Sequence, residues 1–161
     1  MNLIMNKGIV RPMQINDLEA ILEIERVCFS IPWSLESFKL ELKDNEYARY
    51  YCLELAGQVI GYMGLWFIID EGHITNIAIA PNRQGQHWGE FLMRTVIKEL
   101  AEQGMERITL EVRDSNSPAQ ALYKRLGFYV AGVRNGYYAD TGEDAMIMWA
   151  ELRTEVEVNK Q

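Results

Sequence analysis

HITNIAIAPNRQGQHWGEFLM, residues 73–93, reads as a strand that runs through a turn straight into a helix. His73 to Ala80 alternates with a period of two, and Pro81 removes a ladder donor and so ends the strand. Downstream, Gly89, Leu92, Met93, Val96, Ile97 and Leu100 recur at intervals of three and four, an apolar stripe that packs on a sheet. Gly104 closes this helix after Gln103, as a left-handed cap does. At a helix start the first backbone N–H groups lack an intrahelical acceptor, and the aligned peptide dipoles add roughly half a positive charge. The stretch therefore predicts an anion site, suited to phosphate, at the turn.

Working outward, Gly8–Arg11 makes a short strand, and Asn16 caps a helix with Glu19 in capping-box spacing. Leu18, Ile21, Leu22 and Val27 supply the buried face of that helix. Ser34 caps a second helix carrying Leu35, Phe38 and Leu42. Tyr50–Ala56 and Val59–Ile69 form a hairpin about Gly57, and Glu71-Gly72 turns the chain into the strand ending at Ala80. Toward the carboxyl end, Arg107–Arg113 is a strand and Ser117-Pro118 opens a helix that Gly127 ends. Phe128–Val133 and Ala145–Leu152 complete the sheet around a loop at 134–144. The order predicts an α/β chain in which a mixed sheet carries helices on its faces.

At 161 residues with four scattered prolines and no low-complexity run, the chain suits one domain over 1–153, followed by a disordered polar tail at 154–161. The amino terminus lacks a signal-peptide pattern and no apolar run is long enough to span a bilayer, so a cytoplasmic protein without membrane contact is expected. A net charge of −7 argues against direct nucleic-acid binding and favours a cationic partner. Cys28 and Cys52 sit in apolar patterns and read as core thiols. His73 and His87 lack metal-like neighbours, so no metal is expected and neither histidine receives a ligand role.

On the strand Arg107–Arg113, Ile108, Leu110 and Val112 share one face, which puts Glu111 on the other with Thr109 and Arg113. A strand glutamate is most often a wetted surface residue, but Glu111 lies near the carboxyl end of its strand, where open sheets gather ligands. A carboxylate so placed can serve as a base. Tyr123, beside the stripe of Ala119, Leu122 and Leu126, is either an amphipathic core tyrosine or a proton donor.

The turn resembles the phosphate-binding signature of the GNAT acetyltransferases, Gln/Arg-x-x-Gly-x-Gly/Ala, with Gln84, His87 and Gly89 at the matching positions. His87 stands where the signature has its first glycine, and a negative φ with the side chain turned outward is expected there. The order of elements is also similar to the GNAT fold over nearly the whole chain. That likeness implies a central, mostly antiparallel twisted sheet of about seven strands with about four helices. Leu110-Glu111-Val112-Arg113-Asp114-Ser115-Asn116, Ala121-Leu122-Tyr123, Leu126-Gly127-Phe128, Pro32-Trp33-Ser34, Arg134-Asn135-Gly136-Tyr137-Tyr138 and Gly142-Glu143-Asp144-Ala145 resemble one branch, the ribosomal-protein alanine N-acetyltransferases.

The resemblance implies acetyl-CoA as co-substrate, Glu111 as proton acceptor and Tyr123 as proton donor. It implies pantetheine pairing by the backbone of Ile77, Ala78 and Ile79, and a pyrophosphate loop of Gln84, Gly85, Gln86, His87, Trp88, Gly89 and Glu90. Asn116 matches a cofactor-contacting asparagine. Trp33, Tyr137 and Tyr138 either pack locally or line the acceptor cleft. The implied acceptor is the amino-terminal alanine of small-subunit ribosomal protein eighteen, whose basic tail suits an acidic chain. A small amine or a broader range of protein amino termini as acceptor, and a non-catalytic acyl-CoA binding module, are the alternatives, and fold analogy alone does not choose among them.

Overall fold

The computed structural model describes residues 7–152, so the tail expected at 154–161 lies outside the described residues. The elements are β1 (Gly8–Pro12), α1 (Leu18–Cys28), α2 (Leu35–Lys43), β2 (Ala48–Leu55), β3 (Gln58–Ile68), β4 (Glu71–Ile79), α3 (Trp88–Glu102), β5 (Arg107–Arg113), α4 (Ser117–Arg125), β6 (Tyr129–Arg134) and β7 (Ala145–Glu151). Among the described residues the seven strands make one sheet in the order β1-β2-β3-β4-β5-β7-β6. The β4–β5 pair is parallel, while β1–β2, β2–β3, β5–β7 and β6–β7 are antiparallel. This is the mixed, mostly antiparallel sheet with four α-helices that the sequence predicts.

The described residues divide into two compact units, one running up to Trp66 and including Thr75–Val96, the other made of Phe67–Ile74 and the chain from Ile97 onward. In the first unit the core gathers Met13, Leu18, Ile21, Ile24, Phe38, Tyr50, Cys52, Tyr62 and Ala78. Phe38 stands edge-on to Tyr50 and Tyr62, with centroids 6.3 and 5.9 Å away, the arrangement ring quadrupoles favour. The hairpin turns at Ala56-Gly57, both with positive φ, and Ser34 Oγ accepts from Ser37 N at 3.1 Å to cap α2.

Three local expectations in this unit are corrected. The entry to α1 is not capped at Asn16 with Glu19. Asp17, held by Arg11 at 2.8 and 2.9 Å, accepts instead from Gln14 N at 2.7 Å, so a 3₁₀ turn at Ile15–Asp17 precedes the helix. Val27 is 66% exposed, and the inward position one residue before Arg26 belongs to Glu25, which is buried. Its side-chain oxygens accept from Tyr62 Oη and, at 2.8 Å, from Trp33 N, satisfying a polar group that an apolar stripe would exclude. Cys52 is buried as expected, whereas Cys28 is half-buried and sets its thiol 3.5 Å from Ile79 O.

In the second unit β5 buries Ile108, Leu110 and Val112, and β7 adds Met148 and Ala150 beside Phe128. The turn into β4 is at Ile69-Asp70 rather than Glu71-Gly72. Ile69 takes φ 60 and is 92% exposed, and Asp70 O accepts from Glu106 N at 2.7 Å. Glu71 and Gly72 are already in register with Arg107 and Ile108. Gly104, at φ 107, ends α3 as predicted, with Met105 N bonded to Leu100 O at 2.9 Å. No helix among the described residues is long and apolar enough to cross a membrane.

Candidate active site

The phosphate-type turn is built by its own backbone. Gln84 folds its side-chain amide back onto Ile79 O at 2.9 Å, tying the loop to the end of β4. Gly85 then takes φ 76, a left-handed conformation at which any side chain would be strained although nothing lies within 4 Å of where a Cβ would be. His87 takes φ 67 as well, so the expected negative φ is wrong. The loop needs two left-handed residues to bring its amides round to the helix start, and histidine is among the side chains that tolerate this region. The outward direction is right, since the His87 side chain is 72% exposed, with Nδ1 3.8 Å from Glu90.

The first i→i−4 bond of α3 runs from Phe91 N to His87 O at 3.1 Å, so the amides of Trp88, Gly89 and Glu90 precede it and have no acceptor within the helix. Among these residues the side chains are otherwise occupied. Trp88 is buried against Phe91, with ring centroids 5.8 Å apart, and its indole lies so close to Gly8 that a Cβ there would come within 2.6 Å. Glu90 pairs with Arg94 at 3.0 Å. The side chains of Trp88 and Glu90 are thus both engaged with protein neighbours. On β4, Ala78 faces the core, while Ile77 and Ile79 are half-buried.

The second group of predicted residues lies around β5. Glu111 has a side chain 10% exposed, and His73 Nε2 is 2.7 Å from its Oε2 while Arg134 Nη2 is 3.9 Å from its Oε1. Burial pushes the Glu111 carboxyl up, but the His73 bond and charge and the Arg134 charge outweigh it, so its pKa lies below the ordinary glutamate value. The carboxylate is therefore ionised and able to accept a proton. Tyr123 is 8% exposed, packs 5.9 Å from Phe128, and has no hydrogen bond to its hydroxyl among the described residues. Burial, with a smaller contribution from Tyr138, pushes its pKa up to about 12, which keeps the phenol protonated. One acidic and one basic partner are thus set apart by their environments.

Asn116 spends its Oδ1 on capping α4, accepting from Ala119 N at 3.2 Å, which leaves its amide N–H groups as the part suited to a ligand. Tyr137 and Tyr138 meet edge to face with centroids 5.0 Å apart. Arg113 lies 4.0 Å over the Tyr138 ring and bonds Asp140 at 2.8 Å, so the 135–144 loop is held onto the β5 face by a cation–π contact and an ion pair. Trp33 packs 5.3 Å from Phe38 and lines a surface cavity of about 510 Å³ with Ser37, Leu40, Glu41, Asp44 and Asn45. The packing reading of Trp33 therefore holds.

Sequence reasoning missed His73, Arg134 and Glu25. His73 shares the Glu71, His73, Thr75 side of β4, and only the pairing of β4 with β5 brings that side to Glu111. Glu25 did leave a signal, a carboxylate four residues after Ile21 in an otherwise apolar stripe.

Sequence comparison bears on the same stretches. The pattern of the Acetyltransferase (GNAT) family matches residues 18–128. A protein of Bacillus subtilis (strain 168), provisionally named a ribosomal protein bS18-alanine N-acetyltransferase, is 45% identical over 146 residues, covering 91% of this chain and 97% of its own. The ribosomal protein bS18-alanine N-acetyltransferase of Escherichia coli (strain K12) is 36% identical over 143 residues, covering 86% and 94%. The crystal structure of the ribosomal-protein-S18-alanine N-acetyltransferase from Escherichia coli superposes with a TM-score of 0.83 at 33% identity, over 92% of this chain and 97% of that one.

Proposed function

The chain belongs to the acetyltransferase (GNAT) family and is an acetyl-CoA-dependent N-acetyltransferase, and from that premise we propose that its acceptor is the amino-terminal alanine of ribosomal protein bS18. The observation that carries the proposal is the ionised, largely buried Glu111 with a protonated Tyr123 in the same unit, in a chain 45% identical to a relative named for that acceptor. A net charge of −7 suits a basic tail, and a ribosomal acceptor supports a cytoplasmic protein. Residues 1–153 are proposed to act as one domain.

The residues divide the work. Amides of the 84–90 loop and the α3 start receive the diphosphate of acetyl-CoA, with Gly85 allowing close approach of the main chain. Backbone groups of Ile77, Ala78 and Ile79 align the pantetheine arm, and Asn116 donates its side-chain amide. Trp33, Tyr137 and Tyr138 receive the acceptor tail. Glu111 takes the proton of the terminal amine, directly or through a water, as the new C–N bond forms. Tyr123 gives its proton to the coenzyme A sulfur as the C–S bond breaks, and an amide of Ile77–Ile79 steadies the charge on the carbonyl oxygen.

Acetylation of an Ala-starting basic peptide, followed by mass, should exceed that of polyamines or aminoglycosides by at least about tenfold in kcat/KM. A preference for the small amines would replace the acceptor. Tight acetyl-CoA binding with no transfer to any amine would make the protein a binding module. Full turnover in both Glu111→Gln and Tyr123→Phe would remove the two proton carriers from the scheme.

A further inference from the structure

We infer that the cavity beside Trp33 receives a basic side chain of the acceptor tail, arginine above all, from a position after the residue that is acetylated. The inference rests on the acceptor being a basic peptide, as proposed above, and adds which part of the protein reads the charge.

Two carboxylates stand where the helix itself does not want them. The carboxyl end of α2 carries Lys43, a cation at the negative end of the peptide dipoles, yet Glu41 lies in the same last turn and Asp44 is the cap. Carboxylates there oppose the dipole, so their placement costs stability rather than adding to it. Both line the cavity of about 510 Å³, together with Asn45 and, on its apolar side, Trp33 and Leu40. Among the described residues neither carboxylate is paired with a lysine or an arginine. Leu40 is 59% exposed and offers an apolar strip to an aliphatic stem.

Glu41 is held ready for a partner. Trp66 Nε1 donates to its Oε1 at 3.1 Å and its Oε2 at 3.2 Å, and Asn45 Nδ2 donates to Oε2 at 2.6 Å. An ionised carboxylate has about four lone-pair sites, so these two donors orient the group and leave capacity for another. Asp44 is exposed and adds a second negative charge to the same wall. A guanidinium on a methylene stem meets every part of this lining: its charge and N–H groups suit Glu41 and Asp44, its plane suits the Trp33 indole, and its stem suits Leu40. An ammonium meets the charge but not the stacking, which ranks arginine above lysine. An anion would be repelled, and a purely apolar side chain would give neither carboxylate a partner.

The test is kcat/KM for acetylation of Ala-starting peptides by the full chain, with one arginine moved along the positions after the alanine and citrulline, its uncharged isostere, as the control. At the position that reaches the cavity, arginine should exceed citrulline about tenfold in the wild type, with the difference in KM. Asp44→Lys reverses one charge and should bring that ratio to about one. Asp44→Asn should bring it to about three, while thermal stability holds or rises because a carboxylate has left the negative end of α2. Weaker recognition in a protein no less stable excludes a merely structural cause. Glu41→Gln, which keeps an oxygen for Trp66 and Asn45, should lower the ratio at least as far as Asp44→Asn does. A wild-type ratio near one at every position, with transfer intact, overturns the inference and leaves the acceptor reading standing. A ratio that survives in both Asp44→Lys and Glu41→Gln overturns it too, since the arginine is then read elsewhere. Absence of transfer to any Ala-starting peptide would remove the acceptor reading itself, and this inference with it.

Discussion

In the proposed scheme the loop after β4 and the face of β5 meet two different recognition problems with different atoms. From Gln84 to Glu90 the work falls to main-chain N–H groups, and the side chains around them are turned outward, buried elsewhere or tied to a neighbour, as His87, Trp88 and Glu90 are. Around Glu111 it falls to side chains, and a displacement of one ångström in His73 would undo the 2.7 Å contact. Backbone recognition tolerates substitution as long as φ and ψ are kept, which is how a histidine occupies a glycine position of the signature at φ 67. Side-chain recognition tolerates change of scaffold but not of the group itself.

The widest separation between the two regions should come from a pair of single changes. Glu111→Gln is expected to cut turnover by about two to four orders of magnitude while leaving acetyl-CoA affinity near wild type. Gly85→Val, by contrast, places a β-branched residue at φ 76, strains the loop by about 1–2 kcal/mol and should weaken acetyl-CoA binding about tenfold with little loss at saturation. Steady-state kinetics and calorimetry on the two proteins break the comparison if both changes act on binding or both on turnover.

Glu25 sharpens it from the side of stability. Its carboxylate serves both Trp33 N and the Tyr62 hydroxyl, whose own pKa burial pushes far up, so Glu25→Ala strands two donors and should cost about 2–4 kcal/mol in chemical denaturation. Glu25→Gln, which keeps an acceptor, should cost less. Equal losses would mean that neither the volume nor the amide oxygen that glutamine retains spares anything, so that the carboxylate itself sets the cost.

A smaller effect is expected at Asp17. The bond from Arg11 holds its carboxyl below the ordinary aspartate value, so the unfolded chain takes up its proton first as the pH falls. The stabilisation is present above about pH 4, the general aspartate range, and is lost as the pH drops through the lowered folded value. Asp17→Asn should flatten stability against pH in that acidic window. An unchanged slope there would assign the acid sensitivity to other carboxylates. Least of all, His87→Gly removes a left-handed side chain and should raise stability by under about 1 kcal/mol, partly offset by the entropy of glycine. A fall in stability would mean that the contact with Glu90 outweighs the strain.

Much of the architecture was legible because it depends on near neighbours in the chain. The alternation of residues 73–80, the stripe of α3, the Ser34 cap and the Gly57 turn all follow from spacing, and each stands in the structure within a residue or two. The errors came where a distant group won. Arg11 drew Asp17 away from an Asn16 cap, and Asp70 placed the turn before Glu71 by receiving Glu106 N. Tyr62 and Trp33 likewise made an inward Glu25 affordable in place of Val27.

By itself, then, the amino-acid order determined the element sequence, the turn between β4 and α3, and Glu111 as a carboxylate on the polar side of β5, since these obey rules of period two, period 3.6 and turn chemistry. Only the tertiary structure decided that His73 meets Glu111, that the Glu111 carboxyl stays ionised while the Tyr123 phenol stays protonated, and that His87 is left-handed. Those outcomes depend on strand register, burial and the angle at which a loop closes, and none of the three is a property of neighbouring residues in the chain.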